Sequence, residues 1–190
     1  MLRVSCVIAL ALSLFACGGP ATVTGTVAGN SFTIQDAVVV SVSSSGSSNT
    51  GAVISMTSAA NACQNIKDKI RPKGASGVVF VLVRLDANAN PLPIIAGDYQ
   101  VNSEPSGAGM WALGAVGKDD DACKSTIPEG QSNATSGKVT VTSVDFSTGG
   151  VTAGTFDLTI GSQADKISGS FSATFCESAA SIPSGDSTCQ

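Results

Sequence analysis

From Ala21 onward, apolar and polar residues alternate with a period of two along most of the chain, and that period predicts strands. Val23-Thr24-Gly25-Thr26-Val27 leads through Gly29-Asn30 to Phe32 and Ile34. A Gly-Asn pair between two such runs predicts a tight hairpin. Apolar residues then fall on even numbers through Val38, Val40 and Val42, and Asp36 shares their parity. One reading makes Asp36 an inward carboxylate that could bind a ligand. The other places a bend or bulge at Gln35-Asp36 between two strands, and the pattern favours it.

Ser43 to Gly51 reads as a polar loop and Ala52 to Thr57 as a strand. The period then changes. Ser58 can cap a helix, Ala59, Cys63, Ile66 and Ile70 follow at helical spacing, and Pro72 stops the run. Lys67, Lys69, Arg71 and Lys73 cluster around Asp68, which reads first as a solvated helix face and second as a lipid-headgroup contact. Val78 to Leu85, VVFVLVRL, is the most apolar run and predicts a central strand buried on both faces. Further strands are expected at Gly97 to Val101, Met110 to Val116, Lys138 to Phe146, Thr155 to Ile160 and Lys166 to Phe175. The phase slips between Val141 and Val144, which predicts a bulge, and Gly161 to Asp165 predicts a hairpin loop. Gly117 to Gly137 reads as a long polar loop holding Cys123. Four stretches share a small residue, Gly, a polar and an apolar residue, around Gly25, Gly137, Gly154 and Gly169, and read as places where strands begin. About ten short strands separated by turns predict a mainly β domain, an antiparallel sandwich or barrel, with one short helix near residues 58–70.

The first residues follow a different rule. Arg3 supplies a positive charge, and Val4 to Phe15 is almost wholly apolar. A charged start, a short apolar run and a small residue before the cut make a secretory leader. The run is shorter than the roughly 20 apolar residues of a membrane span. Leu14-Phe15-Ala16-Cys17 resembles the lipobox of bacterial lipoproteins, with Phe15 where a small residue is more usual. The resemblance implies that residues 1–16 are removed, that the Cys17 thiol takes a lipid and that the new amino terminus is acylated. Gly18 in place of Asp then implies the outer membrane. Two or more acyl chains hold stably where one holds marginally. Residues 17–21 form a short tether and 22–190 a single β domain. The closing stretch, GTFDLTI followed by KISGSFSATFC, resembles the end of uncharacterised Gly/Ser-rich envelope lipoproteins, which implies no activity.

With that leader, cysteine usage becomes informative. Cys63, Cys123, Cys176 and Cys189 remain after Cys6 leaves and Cys17 is modified. An even number in an exported chain reads as disulfides, with three possible connectivities. Cys176–Cys189 would bracket one Pro/Gly/Ser-rich tail, which leaves Cys63–Cys123.

Composition excludes more than it assigns. The chain of 190 residues has no histidine, so triads, Cys-His pairs and H-E-x-x-H zinc sites are impossible. Removing residues 1–16 removes Arg3 and leaves nine Lys or Arg against 14 Asp or Glu, a net charge of −5. No basic stripe suggests nucleic acid. Asp86 to Asn90 has the start of a calcium loop, but Pro91 and Gly97 stand where that loop needs Gly and Glu. Asp119-Asp120-Asp121 reads as a solvated loop before a cation site. Trp111, the single tryptophan, is the best candidate for a ligand contact at a cavity rim, although core packing is the default for an aromatic residue. These observations lead to a non-catalytic structural or binding module at the cell envelope, without cofactor or metal. It is held to the outer membrane through Cys17 and partnered by an envelope protein or small ligand. The alternative is a carrier whose barrel holds a small apolar ligand, as in lipocalins. An enzyme working through Asp36 and Asp98 has no supporting spacing.

Overall fold

Alternating strands bury one face each, and here they do so by closing on themselves. A computed structural model describes residues 19–44, 47–102, 105, 107–177 and 187–190, so the leader and Cys17 lie outside the described residues. The elements are β1 (Ala21–Gly25), β2 (Asp36–Ser44), β3 (Ser47–Thr57), α1 (Ala62–Lys67), β4 (Ile70–Arg71), β5 (Ser76–Leu85) and β6 (Pro91–Leu92). They continue with β7 (Gly97–Val101), β8 (Gly109–Lys118), β9 (Ala134–Ser143), β10 (Val151–Ile160), β11 (Asp165–Phe175) and β12 (Thr188–Cys189). The order β11-β10-β9-β7-β8-β5-β3-β2 returns to β11 through a parallel contact at Thr174↔Val38 and Phe175↔Val39, which closes an eight-stranded barrel. Neighbours are antiparallel except there and between β7 and β8. Of the two architectures expected, the barrel is the one formed.

Inward positions make one core. Tyr99, Phe80, Ile54, Met56, Leu82, Leu158, Ile160 and Ile167 are fully buried. The Phe80 ring lies 5.1 Å from Phe156 and 6.1 Å from Phe171, both tilted. Eight strands leave an interior that side chains can fill. The bulge is present: Ala153 pairs with Ser143 and Gly154 with Val141, so Thr142 is the extra residue.

The recurrent glycines are not strand starts. Gly137, Gly154 and Gly169 sit inside β9, β10 and β11. Gly154 faces Phe171 and Gly169 faces Phe156 across the same ladder. A Cβ on Gly169 would lie 1.9 Å from the Thr22 carbonyl oxygen and 2.8 Å from the Phe156 ring. The missing side chains let two phenylalanine rings lie over neighbouring backbone, and glycine at such places lets sheets bend into barrels.

Several expectations change. A turn forms at Val27–Asn30, one residue earlier than the Gly-Asn pair suggested, with Ala28 and Gly29 both at positive φ and both backbone bonds 2.9 Å long, but it is not the expected hairpin. No strand follows it, because Phe32 instead turns into the core. The loop expected from Ser43 to Gly51 is mostly strand, since β2 and β3 extend toward each other. The helix is shorter than expected and starts at Ala62: Ser58 accepts a hydrogen bond from the Ser76 N–H, and Ile70 pairs in a two-stranded sheet with Thr188. VVFVLVRL is not buried on both faces. Val78, Phe80 and Leu82 point inward at 0% exposure, while Val79, Val81 and Val83 on the outer face remain half-buried.

The disulfides join Cys63 to Cys176 and Cys123 to Cys189, not Cys176 to Cys189 and Cys63 to Cys123. Two long-range pairings decide this. Closure of β11 on β2 puts Cys176, whose N–H donates to the Val39 carbonyl, on the outer face of β2 where α1 packs. Val38, Val40, Ala62 and Cys176 form a small second core there. Pairing of β12 with β4 carries Cys189 to Arg71, beside the loop that holds Cys123. In the chain-entropy model, closing long loops such as these contributes roughly 4–5 kcal/mol each.

Candidate functional site

Asp36 opens β2 and shares the outward parity of Val38 and Val40, so it does not face the interior. Its Oδ2 accepts the Ala62 N–H at 2.8 Å. Asn61 precedes α1 in a left-handed conformation and caps it with no side-chain bond. Asp36 therefore satisfies a first-turn donor of the helix from a neighbouring strand, and the carboxylate is structural.

Trp111 also faces out. On β8 the inward residues are Ala112, Gly114 and Val116, which puts Trp111, Leu113 and Ala115 on the outer wall. The Trp111 ring covers Gly109, where a Cβ would lie 3.0 Å from it, and Nε1 donates to the Gly107 carbonyl at 3.4 Å. The single tyrosine, Tyr99, faces inward. Its hydroxyl donates to the Ile95 carbonyl at 2.8 Å and accepts the Ile95 N–H at 3.2 Å. Burial pushes its pKa up.

The acidic loops are satisfied by their own surroundings. Asp86 Oδ1 accepts the N–H groups of Asn88 and Asn90, and the Asn90 side chain holds its carboxyl below the usual range. Asp120 accepts from Lys124 and Ala122, which lowers its pKa as well. Asp119 forms a two-pronged pair with Arg71, Nε–Oδ2 and Nη2–Oδ1 both at 2.6 Å, and that contact raises the Arg71 pKa. Among the described residues, no group of three Cys, Asp or Glu is placed to hold a metal.

Two grooves run beside Arg71. One, of about 360 Å³, lies between β3, β5 and Asp119, lined by Ser55, Thr57, Ser76 and Val79. The other, of about 250 Å³, lies between β3 and the α1–β4 segment and shares Ser55, Thr57 and Arg71. Both are open and shallow. Neither assembles a nucleophile with a base.

The feature the sequence reading missed is a contrast between two outer walls. On β9, β10 and β11 the outward residues include Lys138, Thr140, Thr155, Asp157, Ser168 and Ser170. Asp98 on adjoining β7 joins this wall: Thr140 donates to Oδ1 at 2.7 Å and Lys138 to Oδ2 at 2.9 Å, and both lower its pKa, Thr140 most. On β3, β5 and β8 the outward residues include Val53, Ser55, Thr57, Val79, Val81, Val83, Leu85, Trp111, Leu113 and Ala115, together with glycines. Not one is charged. Leu113 is 36% exposed, and Val42 at the end of β2 is 40% exposed. The signal for this wall was VVFVLVRL, whose apolarity exceeds what one buried face needs.

Against known proteins, the chain matches no family model, no curated protein and no solved structure.

Proposed function

We propose that the protein is a lipid-anchored, non-enzymatic module of the bacterial outer membrane, held through Cys17 and acting by the surface it presents. The observation that carries the non-enzymatic part is how the polar groups are used. Asp36 caps α1, Asp119 pairs with Arg71, Asp86 and Asp120 close their own loops, and Asp98 is held by Thr140 and Lys138. Carboxylates committed in this way are structural. The interior supports a module over a carrier, because phenylalanine, leucine and isoleucine side chains occupy the space a ligand would take. The anchor rests on Leu14-Phe15-Ala16-Cys17.

The test is the intact mass of protein extracted from its native membrane, before and after reduction. Residues 17–190 carrying a diacylglyceryl and an acyl group, gaining four hydrogens on reduction, is the expected result. A bare chain beginning elsewhere overturns the anchor.

A further inference from the structure

The apolar wall is continuous in register. Val42, Gly51, Val83 and Trp111 form one outward row across β2, β3, β5 and β8, and Val40, Val53, Val81 and Leu113 form the next. α1 and Cys176 cover Val40 and Val53 is buried as well, while among the described residues Val81, Val83 and Trp111 are half-buried and Val42 and Leu113 are exposed. The barrel needs none of this apolarity, since the opposite wall closes the same ladder with Thr, Ser, Lys and Asp.

Where the chain leaves the barrel points to an occupant. β10 takes one edge of β11 along its length, so β1 and β2 share the other edge, β1 at Ile167–Phe171 and β2 at Thr174–Phe175. The Ser172 N–H donates to the Pro20 carbonyl at 2.7 Å, which pins Pro20 beside the start of β2. Cys17 is three residues further, within roughly 10 Å of extended chain. A lipid on Cys17 therefore holds the bilayer near the seam of β11 and β2, where the polar and the apolar wall meet. Of the two, the wall that begins with β2 is the uncharged one, which loses no ionic hydration on meeting lipid. It also carries the single tryptophan, a residue suited to a boundary that is apolar on one side and wet on the other.

We propose that this wall, centred on Val83, Trp111 and Leu113, lies on the lipid surface, so that the anchor fixes the orientation of the barrel as well as its address. The barrel lies on the membrane and does not span it: a spanning barrel is apolar outside all the way round, and here β9 to β11 are polar outside and the interior is apolar. The proposal rests on lipidation of Cys17.

The test uses lipidated full-length protein in zwitterionic phosphatidylcholine and phosphatidylethanolamine vesicles with nitroxide-labelled acyl chains. Flotation reads the anchor, and emission from Trp111 reads the wall. The expected result is co-flotation with blue-shifted, quenched Trp111 emission, stronger with labels near the headgroup than deep in the chain. L113E, at an exposed position, keeps flotation and melting temperature but loses the quenching. Co-flotation with emission unaffected by the labels overturns the proposal and leaves the anchor standing. Self-association through the wall that keeps Trp111 unquenched on vesicles assigns the wall to a second copy and also overturns it. Loss of flotation overturns the anchor, and the proposal with it.

Discussion

The two outer walls of this barrel share one backbone ladder and one core, yet their surfaces have little in common. The β9–β10–β11 wall is Thr, Ser, Lys and Asp, apart from Val151 and Ala153. The β3–β5–β8 wall is mainly Val, Leu and Trp, with Ser55, Thr57, Ala115 and glycines and no charge. Inside, both supply the same kind of residue: Phe156, Leu158 and Phe171 from one wall, Phe80, Leu82 and Ile54 from the other. Burial inside explains the inward residues of both walls and the outward residues of neither. The polar wall shows what water asks of a strand, and the apolar wall departs from it over two adjacent rows. Contiguous apolar surface that stays partly exposed, as here from Val42 to Leu113, marks an interaction site more often than chance placement.

Three further measurements sharpen that contrast. The largest effect is expected in the interior, which the walls share. Phe80→Ala removes the ring packed between Phe156 and Phe171 and should lower stability by about 3–5 kcal/mol in denaturant unfolding of the oxidised protein. A loss below about 1 kcal/mol would mean that the walls do not depend on a common core. A smaller effect is expected where α1 covers the first strand of the apolar half. Asp36→Ala removes the acceptor of the Ala62 N–H and should cost about 1 kcal/mol. No change would show that the helix holds its place by the Cys63–Cys176 disulfide alone.

The smallest effect concerns the polar wall and the loops. Asp86, Asp98, Asp120 and Asp145 have pKa values lowered in the folded protein, so whatever stability they add is present above the unfolded carboxylate value and lost as pH falls through the folded one. Tyr99 has the opposite sense. Its raised value lets the unfolded chain ionise first, so stability falls as pH climbs past about 10. The chain has no histidine, and Cys63, Cys123, Cys176 and Cys189 are paired. Melting temperature should therefore be flat from about pH 5 to 9 and decline on either side. A step inside that window would reveal a titrating group that this structure does not place.

The period-two pattern was enough for most of the long strands, for a turn at Gly29 and for the Thr142 bulge, because alternation, positive φ and phase slips are properties of neighbouring residues. It overestimated α1, because helical spacing across Ile70 looks the same whether that residue continues a helix or joins a distant strand. It misjudged VVFVLVRL, and left Asp36 between a ligand-binding and a bend reading, for a related reason. Parity assigns residues to two faces but does not say which one meets the core, nor what lies over the other. The four glycines were visible as a motif, and their use was not, since the rings of Phe156 and Phe171 reach Gly169 and Gly154 only after β10 and β11 pair, and Gly25 and Gly137 meet backbone of strands distant in sequence.

The sequence by itself determined a mainly β chain, one short helix, four cysteines suited to disulfides and a chemistry without histidine, since composition and short-range pattern suffice for each. Only the tertiary structure decided closure into a barrel, the pairing of Cys63 with Cys176 and of Cys123 with Cys189, the capping role of Asp36 and the outward turn of Trp111. Each depends on which distant segments meet: β11 on β2, β12 on β4, and β8 between β5 and β7. Those meetings are set by the fit of side chains across the core, and no local period records them.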